Sequence, residues 1–157
     1  MMITMNIPGL GDLNLNTAII DYNGTLALDG KLIEGLEEPL NALSEFLDIH
    51  IVTGDGFGTA KSELANINCK LTIIPAEDQG LSKQKYLHQL NPDTTVSIGN
   101  GKNDQYILKE SALGIAIIGS EGIAVEALLS ADITLPSIHL ALELFHNPKR
   151  LRASLRE

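Results

Sequence analysis

Six short β-rich apolar runs separated by helical patterns constrain this chain more than any other feature. The runs are Ala18-Ile19-Ile20, Ile49–Thr53, Leu71–Ile74, Thr94–Ile98, Gly114–Ile118 and Ile133–Leu135. After the first run, Ile33, Leu36, Leu40, Leu43 and Leu47 recur at three- and four-residue steps, and Phe57, Ala60, Leu64 and Ile67 repeat the pattern after the second. Apolar residues at that spacing form one face of an amphipathic helix. Strands alternating with helices of about a dozen residues predict a parallel sheet covered on both faces, because each crossover must return along a helix. Such sheets bind ligands beyond the carboxyl ends of their strands. Asp21 and Thr53 fall at two of those ends, and a glycine loop beginning at Gly99 follows a third.

The first fifteen residues read differently. Ile3, Met5 and Ile7 alternate, Pro8-Gly9 and Gly11 punctuate, and Leu13 and Leu15 alternate again, which predicts a hairpin on the sheet edge. At the other end, Asn147-Pro148 should cap and start a last short helix. No repeat or linker divides the chain, so residues 1–157 read as one domain. It comprises a hairpin extension (1–16), a core (17–135) and C-terminal helices (136–157).

A chain of 157 residues can bury a full core. A net charge of −9 argues against nucleic acid or an anionic membrane as partner, since both require a basic surface. All three arginines, Arg150, Arg152 and Arg156, lie in the last eight residues, so a phosphate site elsewhere must use lysine and backbone amides. The longest apolar run, Leu113–Ile118, is far short of a membrane span. The N-terminus shows no basic region followed by an apolar segment, and the single Cys69 cannot form an internal disulfide. A cytoplasmic location is the expectation.

Four stretches carry residue types suited to phosphoryl transfer: Asp21-Tyr-Asn-Gly-Thr25, Val52-Thr-Gly-Asp55, Lys83, and Gly99-Asn-Gly-Lys-Asn-Asp104. Transfer through a carboxylate needs a nucleophile, a donor for the moving oxygens, a cation, and a divalent metal to balance charge. Each residue alone has a plain structural reading, as a turn cap or a solvated lysine. The ordered set of four is a stronger signal. It resembles the haloacid dehalogenase (HAD) superfamily, and most closely the phosphorylation domain of P-type ATPases. Asp21-Tyr-Asn-Gly-Thr25 is similar to their Asp-Lys-Thr-Gly-Thr, and Thr53-Gly-Asp-Gly-Phe-Gly-Thr-Ala60 to the Thr-Gly-Asp segment. Gly99-Asn-Gly-Lys-Asn-Asp104 with Leu113–Ile117 is similar to Gly-Asp-Gly-x-Asn-Asp and its downstream strand. The resemblance covers residues 17–135. Only 27 residues separate Thr25 from Thr53, leaving no room for the pumps' nucleotide-binding insertion.

The resemblance implies a Rossmann-like three-layer α/β/α fold without a cap and a Mg²⁺-dependent phosphatase of the soluble P-type ATPase-like kind. It makes Asp21 the nucleophile that forms a phosphoaspartate, and Thr53, Gly54 and Lys83 the phosphate-binding groups. Lys85 competes with Lys83, but the two point about 200° apart on a helix, and Ser82 as N-cap would favour Lys83. Mg²⁺ would be held by Asp21, the carbonyl of Asn23, and Asn100 or Asp104. Two departures bear on activity. Asn23 stands where most phosphatases of the superfamily have an acid–base aspartate, whose loss costs roughly 10²–10⁴ in rate, so only good leaving groups are expected to react quickly. Asn100 replaces an aspartate at the metal, which predicts weak Mg²⁺ binding. Asp55 is open between capping the next helix and acting at the site. The four histidines show no ligand spacing. A homo-oligomer acting on a small phosphorylated metabolite is the expected setting. The alternatives are a catalytically impaired binding or regulatory protein of the same fold and, less in keeping with the order of the motifs, a receiver-like signalling module.

Overall fold

The computed structural model describes residues 2–157. Strand β1 (Ile3–Ile7) pairs antiparallel with β2 (Gly11–Leu15), and a single residue, Asn16, leads into β3 (Thr17–Ile20). A small antiparallel flap follows, β4 (Ala27–Leu28) with β5 (Lys31–Leu32). The chain continues as α1 (Glu37–Leu43), β6 (Asp48–Thr53), α2 (Ala60–Glu63), β7 (Lys70–Ile73) and α3 (Gln79–Leu90). It closes with β8 (Thr95–Gly99), α4 (Gln105–Glu110), β9 (Leu113–Ile117), α5 (Val125–Ser130), β10 (Ile133–Leu135), α6 (Ile138–His146) and α7 (Pro148–Leu155).

Six strands form one parallel sheet in the order β10-β9-β8-β3-β6-β7. The sequence runs explain the layers. In β3, Ala18 and Ile20 face one side and Ile19 the other, and all three are buried because helices cover both faces. On the first side they meet Leu36, Leu40 and Leu43 together with Ile138, Leu142 and Phe145. On the second, Ile19 and Val52 pack against Leu87 and Ile107. This is the Rossmann-like α/β/α arrangement. Strand β3 is hydrogen-bonded to β6 on one flank and β8 on the other, and the chain builds outward first one way and then the other. The crevice at that reversal is where an open α/β sheet accommodates a ligand.

The hairpin is present but forms a sheet of its own and joins neither edge strand. Its short connection hangs it from the amino end of central β3, whose two edges are already paired, and the amide of Asn16 donates to the carbonyl of Thr94. The helices are shorter than the periodicities suggest. Ile33 precedes α1, and α2 is a single turn that leaves Phe57 outside and 58% exposed. Helix α3 starts at Gln79, so Ser82 lies inside it and its amide already donates to the carbonyl of Asp78. Pro148 opens α7 as expected, but the Asn147 side chain donates back to the carbonyl of Glu143 instead of capping. No helix among the described residues is long and apolar enough to cross a membrane.

Candidate active site

Asp21 is the first residue beyond β3, and its amide still donates to the carbonyl of Ile98 on β8, at 3.0 Å. The backbone then turns sharply. The Tyr22 carbonyl accepts from Thr25, Leu26 and Ala27, the amide of Gly24 donates to Ala27, and Gly24 takes a φ of +83°, which glycine adopts without strain. Tyr22 is fully buried and its hydroxyl donates to the Gly30 carbonyl, which ties this turn to the flap. The Asp21 carboxylate is therefore held at the crevice, 6% exposed.

Lys83, on α3, is 1% exposed and reaches Asp21 Oδ1 at 2.6 Å and Asp104 Oδ1 at 2.7 Å. Lys85, two residues on, is exposed. Asp104 lies in the 3₁₀ turn Lys102–Asp104 and is fully buried. Its second oxygen accepts from the amides of Asn100 and Gly101, at 3.0 and 2.9 Å. A side chain at Gly99 would run into that carboxyl, so the loop after β8 needs glycine there. With one oxygen on Lys83 and the other on two amides, Asp104 is engaged inside the protein and does not line the cleft.

Across the cleft, Thr53 ends β6, and its hydroxyl accepts from the amide of Asp55 at 3.0 Å. Asp55 adopts φ +47° and its carboxylate accepts from the amides of Thr59 and Ala60, so it caps the first turn of α2. On the β8 side, Thr25 Oγ1 lies 3.3 Å from both Asp21 Oδ2 and Asn100 Oδ1. These groups share a cleft of about 310 Å³ whose wall includes Asp21, Asn23, Thr53, Gly54, Asn100 and Glu121.

Burial drives the electrostatics. Desolvation, helped by the neighbouring Asp104, raises the Asp21 carboxyl to about 6 even though Lys83 pulls it down. For Lys83, burial favours the neutral amine, but the two carboxylates outweigh it and hold the ammonium above its ordinary value. The triad of two carboxylates and one ammonium thus carries a formal charge of −1. The cleft wall adds Asp55 and Glu121 and contains no lysine, arginine or histidine. Asn23 Oδ1 is buried without a hydrogen-bond partner. An oxygen-rich, net negative cleft with an unsatisfied amide oxygen offers the hard donors that a divalent cation takes.

The structure brings Asp21, Thr53, Gly54, Lys83 and Asn100 together, with Asn23 beside them and Asp104 behind Lys83. Sequence reasoning missed Gln79, whose amide packs over Gly54 and bonds Asn103, and Glu121. The available signal for Glu121 was its position just past the carboxyl end of a strand. The histidines stay apart from the cleft, and His50 Nδ1 is 2.8 Å from the Tyr86 hydroxyl.

No family model matches the chain. It is 42% identical over 81 residues to the uncharacterized protein MJ0073 of Methanocaldococcus jannaschii, a match spanning 49% of this chain and 87% of that one, and it belongs to that protein's family. Among solved structures it is similar to the cobalt-bound deoxy-D-mannose-octulosonate 8-phosphate phosphatase of Haemophilus influenzae. The TM-score is 0.70, with 12% identity over 87% of this chain and 90% of that one. The 3-deoxy-D-manno-octulosonate 8-phosphate phosphatase of Moraxella catarrhalis, in complex with magnesium, phosphate and KDO, matches with a TM-score of 0.65. Its identity is 16%, over 90% and 94% of the two chains. A zinc-transporting PIB-type ATPase in its E2.Pi state is 26% identical with a TM-score of 0.57, over 79% of this chain and 20% of the pump.

Proposed function

We propose that this chain, a member of the haloacid dehalogenase superfamily by its fold, is a divalent-metal-dependent phosphohydrolase that works through a phosphoaspartate on Asp21. The observation that carries the reading is the Asp21 carboxylate at the end of the central strand. It is held at 2.6 Å by a buried lysine and shares a cleft with Thr53 and Gly54. The phosphatase neighbours, one with magnesium and phosphate bound, support it.

In this reading an Asp21 oxygen attacks phosphorus, the bond from phosphorus to the leaving oxygen breaks, and the phosphoryl group rests on Asp21. Water then attacks phosphorus, the aspartyl oxygen departs with its electron pair, and the water proton leaves with phosphate or solvent. Thr53 hydroxyl and the Gly54 amide donate to the phosphoryl oxygens. Lys83 neutralises charge on the nucleophile and the phosphate, and Asp104 positions Lys83. Asp21, the Asn23 carbonyl and the Asn100 side chain would hold Mg²⁺, which when bound balances the phosphate charge. With Asn23 unable to give a proton, the leaving group departs unassisted, so acyl and aryl phosphates react faster than alkyl phosphates. The substrate class is a small phosphorylated metabolite.

One feature favours a second reading, a binding or regulatory protein with an impaired site: amides stand at both positions 23 and 100. Phosphate release from acetyl phosphate and an aryl phosphate, with Mg²⁺ and with chelator, separates the two. Metal-dependent turnover that disappears in Asp21→Asn supports the enzyme. No turnover and no label on Asp21 supports the binding protein.

A further inference from the structure

Asn100 poses a charge problem that the surrounding fold answers from an unexpected direction. The loop 119–122 leaves β9 and folds back over the turn at Gly24. The Gly24 carbonyl lies 3.2 Å from where a side chain at Gly119 would begin. The loop is tied to Asn100 twice, since Asn100 Nδ2 donates to the Gly122 carbonyl at 3.3 Å and the Ala124 amide donates to the Asn100 carbonyl at 2.9 Å. Glu121 sits at its tip with its carboxylate turned inward. A Cβ on Gly24 would lie 2.5 Å from Glu121 Oε2 and 2.5 Å from Asn100 Nδ2, so those two atoms are at most twice that distance apart. Both side chains line the same cleft as Asp21. Glu121 makes no ion pair among the described residues, and glycine at position 24 leaves the space that its carboxylate overlooks.

We propose that Glu121 is a carboxylate of the divalent-cation site, supplying from the loop after β9 the negative charge that the amide of Asn100 lacks. The inference rests on the phosphohydrolase reading of the cleft and adds a residue to it. Three features support it. Lys83 already neutralises one of the two buried carboxylates, leaving −1 at the triad; Glu121 adds a carboxylate with no ion-pair partner, whereas Asp55, also on the cleft wall, is turned to the amides of Thr59 and Ala60. The neighbouring oxygens, from Asp21, Asn100 and the buried, unpaired Asn23 Oδ1, are hard donors. The hydrogen bonds from Asn100 to the loop bind the amide position and the carboxylate into one unit, so the two act together.

The test is Mn²⁺ or Mg²⁺ binding to the metal-free full chain by calorimetry, with thermal melts to verify that each variant folds. Glu121 is exposed and Glu121→Gln keeps its size. We expect Glu121→Gln to weaken Mn²⁺ binding by roughly tenfold or more, and Asp21→Asn to weaken it at least as much. Glu126→Gln, at an exposed position of α5, should leave it unchanged. Asn100→Asp in the Glu121→Gln background should recover most of the lost affinity. If Glu121→Gln binds like the parent while Asp21→Asn does not, the role of Glu121 is overturned and the phosphohydrolase reading stands. If the parent chain binds no Mn²⁺, or if Asp21→Asn also binds normally, both fall together.

Discussion

The Asp21 carboxylate has two sides, and they are built differently. On the buried side, every polar group is satisfied: Lys83 bridges Asp21 and Asp104, and Asp104 is held by two amides. On the open side stand Asn23, whose side-chain oxygen has no partner, Asn100, and Glu121 from the loop after β9. The buried side resembles a structural ion network that tolerates little change. The open side holds Asn23 and Asn100, which on the proposed reading set which leaving groups react. If Asp21 is the nucleophile we propose, its buried anchoring and the composition of the cleft mouth are separable, and mutations can pull them apart.

The largest effect should come from breaking the buried side. Lys83→Ala leaves two carboxylates facing each other without a counter-charge, which costs about 3–5 kcal/mol for a buried pair losing one partner, and ends turnover. Lys85→Ala, at an exposed position, should stay within about 0.5 kcal/mol. Urea unfolding of both variants measures the contrast, and equal losses would remove the distinction between the two lysines.

Next in size is a change on the open side. Asn23→Asp restores a proton donor and should raise turnover on alkyl phosphates by about one to two orders of magnitude, part of the usual gain from acid–base help. Aryl phosphates should gain much less, because their leaving groups need no proton. Steady-state rates on matched alkyl and aryl substrates measure the difference; equal gains would break the leaving-group argument.

A third effect concerns pH. Folding raises the Asp21 carboxyl from its ordinary value of 3.8 to about 6, chiefly through burial. The folded state then binds the proton more tightly than the unfolded chain. The resulting stability is fully present below about pH 4 and is lost as pH rises through 6. That difference corresponds to about 3 kcal/mol. Metal-free parent protein should therefore lose up to that much stability between pH 4 and 7 relative to Asp21→Asn, by denaturant titration at several pH values. Parallel stability profiles would show that Asp21 keeps an ordinary acidity. The smallest effect is local: Asp55→Ala removes the cap on α2 and should cost about 1 kcal/mol, whereas Asn147→Ala removes no cap.

The same division governs what the sequence made legible. Asp21 and Thr53 could be read because a polar residue ending an apolar run marks a strand end, and strand ends of a parallel sheet converge. Lys83 is read from the resemblance and preferred to Lys85 because Ser82 looks like an N-cap; Lys83 is the buried lysine, but not for that reason, since Ser82 lies inside α3. The start of α3 was not legible, because Gln79-Gly80 carries no strong helix signal and the packing of Gln79 over Gly54 fixes the turn there. Phe57 fits a helical spacing yet lies outside α2, since Asp55 turns the chain at a positive φ and starts the helix only at Ala60. Alternation revealed both strands of the hairpin but not their separate sheet, because pairing partners are set by the whole fold. Glu121 follows the carboxyl end of β9, but that position alone did not single it out. Its loop is far from the Asp21 turn along the chain, and no local pattern records that Gly119 packs on Gly24.

The most direct test of the central claim is to look for the phosphoryl group on Asp21 itself. The chain would be incubated with acetyl phosphate and Mg²⁺, quenched in acid, and its peptides mapped by mass. We expect a hydroxylamine-sensitive gain of one phosphoryl group on the peptide containing Asp21, absent with chelator and absent in Asp21→Asn. A label that persists in Asp21→Asn, or no label on Asp21 while phosphate is still released, would contradict a phosphoaspartate mechanism at this site.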